Sequence, residues 1–351
     1  MSVIGSSILA GASGAGADLG AIAVGHQGGT TRVIAYEWDS GFGSKYADPS
    51  TFPGSSTITG VHFSPDGNNI AMALESSSPY ILVYPWSSSG FGTKYANPSI
   101  LPGASGSYTA GNDVVFSHDG THIAIANDGT PPISVYPWSS SGFGTKYANP
   151  STLPPGAGGG VAFSPGDDSI AVASTSSPYI TAYAWSSGFG SKYSNPSTTL
   201  AGSGYGVKWS PNGNDIFISH ANSPFISAYA WSSGFGSKYA NPSSLPTSNV
   251  RYLDVNPDGD TVVISGFDSP YIYAYPWSSG FGSKYSNPST LPSGRGFNIA
   301  FSRDGNDIAI VGDTSPYVTV YPWSSGFGSK YSNPSSLPAG RGRSVDFRPV
   351  G

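Results

Sequence analysis

The chain of 351 residues contains 48 glycines, 30 prolines and no cysteine, and only 10% of its residues are charged, with a net charge of −5. Tight, sequence-independent binding to nucleic acid needs many basic residues, so the composition predicts no nucleic-acid partner. The lack of cysteine excludes a disulfide framework and a thiolate metal site.

The first elements lie close to the N-terminus. Residues 1–12 are a candidate N-terminal extension. Their apolar run has no preceding Lys or Arg, and no stretch of the chain reaches transmembrane length, so neither a standard signal peptide nor a membrane span is predicted. The Gly/Ser-rich stretch 11–16 stands where a first strand belongs, and residues 20–24 and 32–38 predict a second and a third strand.

From there one unit recurs along the chain, marked by tryptophans 46 to 52 residues apart. This period is typical of the four-stranded blades of a β-propeller. The seven tryptophans are Trp38, Trp86, Trp138, Trp185, Trp231, Trp277 and Trp323.

The copy over residues 160–196 shows the pattern of one unit. Alternating apolar residues predict strands over 161–163, 170–173, 179–185 and 191–193, which we label A to D. Hairpin turns rich in Pro, Asp, Ser and Gly separate them. No segment has a useful 3.6-residue apolar period, so almost no helix is expected.

The C-terminal segment 343–349 is in register with strand A of the other copies, but the chain ends before a strand B. Because the first unit lacks a clear strand A, Val345 to Phe347 are predicted to pair with the region of Ile22 and to close the ring. The sequence therefore predicts an all-β fold. A single domain over residues 1–351 would form a seven-bladed β-propeller of four-stranded antiparallel blades, closed by a strand at 343–349.

Four turns between strands A and B carry the pattern Phe/Trp-Ser-x-Asp/Asn-Gly, beginning at Phe63, Phe116, Trp209 and Phe301. In these turns the sequence resembles the WD-repeat-like family of β-propellers, which implies the fold but no particular function. The repeated string Trp-Ser-Ser-Gly-Phe-Gly-Ser-Lys-Tyr-Ser-Asn-Pro also resembles highly uniform propeller repeats of bacteriophage and environmental genomes.

The middle residue of strand A differs from copy to copy, and strand A is innermost, so these positions are expected to ring the central channel. The candidate channel residues are His62, Lys208, Asp254 and Asp346. We predict a cross-blade ion pair or hydrogen bond between Lys208 and Asp254, and another between Asp346 and His62. Charge compensation around a narrow channel is favoured over an ion site.

A second candidate site is the face formed by the D–A and B–C connections, which vary between copies on a rigid scaffold. We expect this face to bind a protein partner or an anionic glycan. Its candidate residues are Tyr108, Tyr205, Arg251, Tyr252, Arg295, Phe297, Arg341 and Arg343.

No set of residues indicates catalysis, a metal or a cofactor, because the five histidines lack a ligand pattern and the repeated serines lack partner histidines. The leading interpretation is a non-catalytic scaffold or recognition module, as a virion-associated structural or host-attachment protein or in another extracellular setting. This interpretation is compatible with assembly into a larger particle. One alternative is a multivalent lectin that uses the aromatic turns between blades. Another is a propeller hydrolase or lactonase with a carboxylate or histidine cluster in the channel.

Overall fold

The computed structural model describes residues 20–52, 54, 56–103, 110–247 and 249–349. In this part of the chain the regular structure is entirely β, with 26 strands in seven antiparallel sheets. None of it is a helix able to cross a membrane. The stretch 11–16 and the candidate extension 1–12 lie outside the described residues.

The sheets are the blades of a propeller, numbered here from the one that holds the first strands. Strand A of each blade contacts strand A of the next, which places these strands around the central axis. Blade 1 consists of β26 (Arg341–Phe347), β1 (Gly20–Gln27), β2 (Val33–Trp38) and β3 (Phe42–Lys45). Blade 2 consists of β4 (Ile58–Phe63), β5 (Asn69–Leu74), β6 (Ile81–Ser87) and β7 (Gly90–Phe91).

The following blades repeat this order from the centre outward. Blade 3 consists of β8 (Gly111–Phe116), β9 (His122–Asn127), β10 (Ile133–Ser139) and β11 (Gly142–Phe143). Blade 4 consists of β12 (Gly158–Phe163), β13 (Ser169–Ser174), β14 (Ile180–Trp185) and β15 (Phe189–Lys192). Blade 5 consists of β16 (Gly204–Trp209), β17 (Asp215–His220), β18 (Ile226–Trp231) and β19 (Phe235–Lys238).

The last two blades have a reduced outer edge. In each, an isolated bridge between a Trp and a Phe, Trp277 with Phe281 and Trp323 with Phe327, takes the place of the fourth strand. Blade 6 consists of β20 (Val250–Val255), β21 (Thr261–Gly266) and β22 (Ile272–Pro276). Blade 7 consists of β23 (Gly296–Phe301), β24 (Asp307–Gly312) and β25 (Val318–Pro322).

The closure of the ring is confirmed. Strand β26 pairs with β1 so that Phe347 lies opposite Ile22 and Val345 lies opposite Val24. The closing strand covers Arg341–Phe347, two residues earlier at each end than the predicted 343–349. Both ends of the described chain thus share blade 1, and every blade has a neighbour on each side.

The turn between strands A and B shows why the repeat uses Ser, Asp and Gly there. In blade 2 the Ser64 hydroxyl donates to Asp66 Oδ1, and the backbone N–H of Gly67 donates to Ser64 O at 2.8 Å. Gly67 has a φ of 68°, a conformation that strongly favours glycine. The turn residues therefore fix the hairpin that joins the channel strand to strand B.

Packing between blades uses three aromatic residues of the repeat. In blade 4 the Trp185 ring meets Phe189 of its own blade and Tyr147 of the previous blade edge-on, with centroids 5.2 Å apart in both pairs. Tyr183 is fully buried and donates its hydroxyl to Thr152 O at 2.7 Å. The same hydroxyl-to-carbonyl bond recurs for the strand C tyrosine of all seven blades. Each blade is thereby fastened to the connection that precedes it.

Candidate active site in the central channel

The central channel contains a cavity of about 390 Å³, lined by the strands A and by the A–B turns. Two positions of strand A contribute side chains. Positions are counted from Gly342 in β26, which has one extra residue at its start. The third position holds Gly60, Asp113, Gly160, Gly206, Tyr252, Asn298 and Ser344, and the fifth holds His62, Val115, Ala162, Lys208, Asp254, Ala300 and Asp346. All four candidate channel residues line the cavity.

Lys208 and Asp254 form the cross-blade pair expected between blades 5 and 6. Lys208 Nζ lies 3.6 Å from Asp254 Oδ1, and both side chains keep partial contact with solvent. Asp254 Oδ2 accepts the backbone N–H of Phe301 in blade 7 at 2.8 Å. The carboxylate therefore links three successive blades.

Asp346 does not bind His62 as predicted. Its Oδ2 accepts the backbone N–H of Phe63 at 2.8 Å and lies 3.4 Å from Nη2 of Arg303. No hydrogen bond or ion pair joins Asp346 to His62 among the described residues, because the carboxylate binds the Phe63 amide and Arg303 instead. Burial raises the pKa of Asp346, although Arg303 and the Phe63 amide oppose this shift.

His62 instead contacts the blade on its other side. Its Nδ1 lies 3.3 Å from the backbone nitrogen of Phe116 and accepts that N–H. The neutral ring therefore carries its proton on Nε2. Burial, together with the nearby charges of Arg303 and Lys208, holds the pKa of His62 well below its usual value, so the ring is neutral at pH 7 and offers an N–H donor.

These polar side chains share a geometric role around the ring. Each accepts the inward-facing backbone N–H of the next strand A, at the fourth or sixth position. Such N–H groups lie on the inner edge of a sheet, where no further strand can pair with them. The accepting residues are His62, Asp113, Asp254, Asn298, Ser344 and Asp346.

The pattern is incomplete at the sixth position. By the same register, the N–H groups of Phe163, Trp209, Val255 and Phe347 face inward, but the preceding blades present Val115, Ala162, Lys208 and Ala300, which have no acceptor atom. Two of these N–H groups, those of Trp209 and Val255, belong to blades 5 and 6, on the wall that also carries Lys208. This wall of the cavity carries hydrogen-bond donors and positive charge.

The end of the cavity away from the A–B turns is closed by two residues that the sequence pattern did not place there. Tyr252 of blade 6 donates its hydroxyl to Asp113 Oδ2 of blade 3 at 2.8 Å. Burial raises the pKa of Asp113, opposed by hydrogen bonds from the Val161 amide and Tyr252. Tyr252 was predicted to lie on the face of the D–A and B–C connections, but it lines the cavity instead.

Asp113 and Arg303 are channel residues that the sequence interpretation missed. The third position of strand A varies as much as the fifth and would have drawn attention to Asp113. Arg303 stands in the A–B turn where most copies have proline, as in Pro65 and Pro165. That departure from the repeat was the available signal.

The face of the D–A and B–C connections holds most of the other candidates. Tyr205, Arg251, Phe297 and Arg343 are the second residue of strand A in successive blades, not part of the connections as expected. A β-bulge at this position in each of these blades takes the residue out of the ladder. Arg295 lies just before β23, and Arg341 begins β26. Tyr108 lies outside the described residues.

The aromatic turns do not offer stacking platforms. The seven repeat tryptophans are 4–7% exposed, and their rings are packed edge-on against Phe and Tyr rings within the core. A sugar ring needs an accessible aromatic face, so sites built on these tryptophans, as in the lectin alternative, are not supported. Among the described residues, no three His, Asp or Glu side chains are grouped to hold a metal ion.

Comparison with solved structures gives extensive likeness at low sequence identity. The chain is similar to two putative 6-phosphogluconolactonases, from Bacteroides uniformis (15% identity, TM-score 0.70, 94% of this chain and 99% of that chain) and Bacteroides fragilis (10%, 0.72, 96% and 99%). It is also similar to the periplasmic gluconolactonase of Pseudomonas aeruginosa (15%, 0.68, 95% and 100%). These likenesses show the propeller fold. No protein-family model and no curated protein matches the sequence.

The comparisons correct two interpretations of the sequence. The expectation that the chain is not an enzyme is contradicted, because the similar structures carry the names of lactonases. The more specific resemblance to WD-repeat and bacteriophage propellers is not supported either, since these three are propellers of another kind. The interpretation that agrees best with them is the hydrolase or lactonase alternative.

Proposed function

We propose that the chain is a hydrolase that opens the ring of a small polar lactone in the cavity of the central channel. The observation that carries this proposal is the position of Asp346, a buried carboxyl group of raised pKa, in a cavity that also contains Lys208, Arg303 and inward-facing N–H groups. The names of the similar structures support the reaction class.

Asp346 is the proposed general base. Its Oδ2 is held by the Phe63 amide and by Arg303, which leaves Oδ1 for a water molecule. A carboxylate whose pKa is raised towards neutrality is a stronger base than one in water. The base would take one proton from water as the water oxygen bonds to the lactone carbonyl carbon. The ring C–O bond then breaks, and the proton passes to the ring oxygen.

The opposite wall would stabilise the negative charge on the carbonyl oxygen. The Lys208 ammonium and the N–H groups of Trp209 and Val255 are the proposed donors on that wall. The Nε2–H of His62, in the blade next to Asp346, is a further proposed donor. Fixed donors of this kind lower the barrier because they need little rearrangement as charge develops. The lysine is fixed in turn by Asp254, at 3.6 Å.

The cavity limits the substrate to a small molecule. A volume of about 390 Å³ lies at the lower end of the size range of ligand pockets, roughly 300–1,000 Å³. Its walls carry Lys208 and Arg303, and small apolar residues such as Ala162 and Ala300. We therefore favour a polar lactone with several hydroxyl groups, with or without an anionic substituent.

A panel of five- and six-membered sugar lactones, each with and without a phosphate group, tests this proposal. Proton release on ring opening is followed in a weakly buffered indicator assay. Wild-type protein is expected to accelerate the opening of at least one lactone, and Asp346→Asn is expected to abolish most of that acceleration.

The matched control is Asp39→Asn, which removes one carboxylate at an exposed position after β2. This variant should retain full activity. The proposal fails if no lactone of the panel is opened faster than in buffer, or if Asp346→Asn is as active as the control.

A further inference from the structure

The propeller face opposite the A–B turns carries a stack of two arginine and three aromatic side chains. Arg251 Cζ lies 4.5 Å from the ring centroid of Tyr205 and 4.8 Å from that of Phe267. The Phe267 and Phe297 centroids are 5.1 Å apart, and Arg343 Cζ lies 4.8 Å from the Phe297 ring. We call these five residues the arginine stack.

The stack is built by the bulges at the start of strand A. Blades 5, 6, 7 and 1 contribute their second strand A residue, and Phe267 follows β21 in the neighbouring B–C turn. Stacking on rings fixes the plane of each guanidinium while its N–H edges stay available for other partners. The bulges thus present rigid cationic groups at the mouth of the channel.

Positive charge is concentrated on this face. Arg295 Cζ lies 5.7 Å from the centroid of the Phe267 ring. Burial lowers the pKa of Arg343, and the nearby charge of Arg341 lowers it further. Four of the seven arginines of the chain, 251, 295, 341 and 343, therefore gather at one mouth. Only Glu75, at 3.7 Å from Arg343, and Asp313, at 3.3 Å from Arg295, pair with them among the described residues.

Arg251 has a donor that no residue in the described part of the chain satisfies. Its Nε is buried and has no hydrogen-bond partner among the described residues. A buried donor without a partner costs free energy, which an acceptor supplied by a ligand would recover. A planar guanidinium fork is suited to the two oxygens of a carboxylate, sulfate or phosphate group.

The arginine stack is separate from the lactone cavity. None of its five residues lines the cavity, and the Tyr252–Asp113 contact closes the cavity on the side facing the stack. A ligand bound at the stack would therefore leave Asp346 and Lys208 unoccupied.

We propose that the arginine stack is a second ligand site, which binds an oxyanion group through Arg251 and Arg343. The ligand is defined by that group, a carboxylate, sulfate or phosphate, whether free or carried on an acidic sugar. In blades 2 and 3 the second residue of strand A is neutral, and its side chain already has hydrogen-bond partners within the protein. Thr59 donates to Gly111 O, and Asn112 donates to Asp128 Oδ1 and Gly158 O.

Titration calorimetry at low ionic strength tests the site with four probes: sodium sulfate, sodium phosphate, trigalacturonate and the neutral trisaccharide maltotriose. Saturable binding of one or more anionic probes is expected, with none for maltotriose. Tighter binding of trigalacturonate than of the inorganic ions would indicate an acidic sugar as the source, and the reverse would indicate a free anion.

The variants Arg251→Gln and Arg343→Gln should each weaken binding at least tenfold, while Lys192→Gln, on the outer edge of blade 4, should not. Arg251→Lys should recover only part of the affinity, because it keeps the charge but not the fork. Circular dichroism and thermal unfolding establish that each variant is folded, and Arg295→Gln, at a largely exposed side chain, is a milder second test.

The outcomes separate this site from the lactone cavity. The glutamine variants should open lactones at the wild-type rate, and Asp346→Asn should bind the anions as wild type does. Absence of saturable binding by all three anionic probes overturns the proposal, and so does binding that both glutamine variants leave unchanged.

Discussion

The hydroxyl of Tyr252 in blade 6 donates to Asp113 Oδ2 in blade 3, at 2.8 Å across the central channel. Blades 4 and 5 lie between these residues on one side and blades 7, 1 and 2 on the other, so the bond joins nearly opposite sides of the ring. It is the contact that closes the cavity beneath the arginine stack. Burial raises the pKa of Asp113, and the hydrogen bond from Tyr252 opposes that rise.

Tyr252→Phe should destabilise the protein at pH 7 by about 1.5–3 kcal/mol, because a buried carboxylate loses a charge-assisted hydrogen bond. The loss should shrink as the pH falls through the raised pKa of Asp113, since the protonated carboxyl no longer bears the charge that the hydroxyl stabilises. Urea unfolding of both proteins at pH 7 and pH 4.5 measures the difference. An equal loss at both pH values would contradict the assignment.

Asp346→Asn should lower kcat for lactone opening by roughly 10²–10⁴-fold, the usual contribution of a general base. In wild type, kcat/KM should fall as the pH drops through the pKa of Asp346, which burial places above the ordinary aspartate value. Burial holds the pKa of His62 well below its usual value, so His62 should add no step near pH 6.5. A pH–rate profile from pH 4 to 8 checks the sign, and a rate that rises on acidification would exclude a carboxylate base.

Two buried histidines should make the protein less stable in mild acid. Burial lowers the pKa of both His26 and His220 to about 4, from an unfolded value near 6.5. Their contribution is complete above pH 6.5 and is lost as the pH falls from there towards 4, because the unfolded chain then binds more protons. Between pH 7 and pH 5, each histidine should lower the free energy of unfolding by about 1–2 kcal/mol.

The measurement is the urea midpoint of wild type, His26→Gln and His220→Gln at both pH values. Each variant should depend less on pH than wild type does, whatever its absolute stability. Identical pH dependence in all three proteins would show that the histidines are not buried in their neutral form.

Phe347→Ala tests the closure of the ring. Phe347 is 1% exposed, and its ring centroid lies 5.4 Å from that of Trp38. Truncating a buried phenylalanine should cost about 3–5 kcal/mol. Leu337→Ala, at a residue that is 41% exposed, is the control and should change the free energy of unfolding by less than about 0.5 kcal/mol. Equal effects would mean that β26 contributes little to the fold.

The hydrogen bonds from the strand C tyrosine hydroxyls should each contribute less to the free energy of unfolding. Tyr183→Phe removes the bond to Thr152 O at 2.7 Å and keeps the packing of the ring. The expected loss is about 0.5–1.5 kcal/mol, the net value of one hydrogen bond. Tyr205→Phe removes a hydroxyl for which no hydrogen bond is present among the described residues, and should be neutral in thermal unfolding.

The repeat made the architecture predictable. The 13 residues from Pro334 to Phe347 match the spacing within the other copies, which was enough to place the closing strand on β1. The same alignment placed Lys208 and Asp254 in adjacent blades, and they form an ion pair.

Contacts across the ring could not be predicted in this way. The bulge that takes Arg251 out of the ladder and leaves Tyr252 in the channel recurs in every blade. The repeat does not show, however, that the Tyr252 side chain reaches Asp113 across the ring. The choice of Arg303 over His62 as a partner of Asp346 depends on side-chain reach from an A–B turn. Repeat spacing gives the neighbours of a blade, whereas these contacts depend on where individual side chains lie in the channel.

The pairing of β26 with β1 has a consequence for synthesis. During translation, residues 20–45 leave the ribosome long before residues 341–347, so three strands of blade 1 lack their innermost partner until blades 2 to 7 have been made. The exposed edge of β1 is open to pairing with other strands throughout that interval. The ring can therefore close only after β26 has been synthesised, and nascent chains are most vulnerable to association with one another before that point.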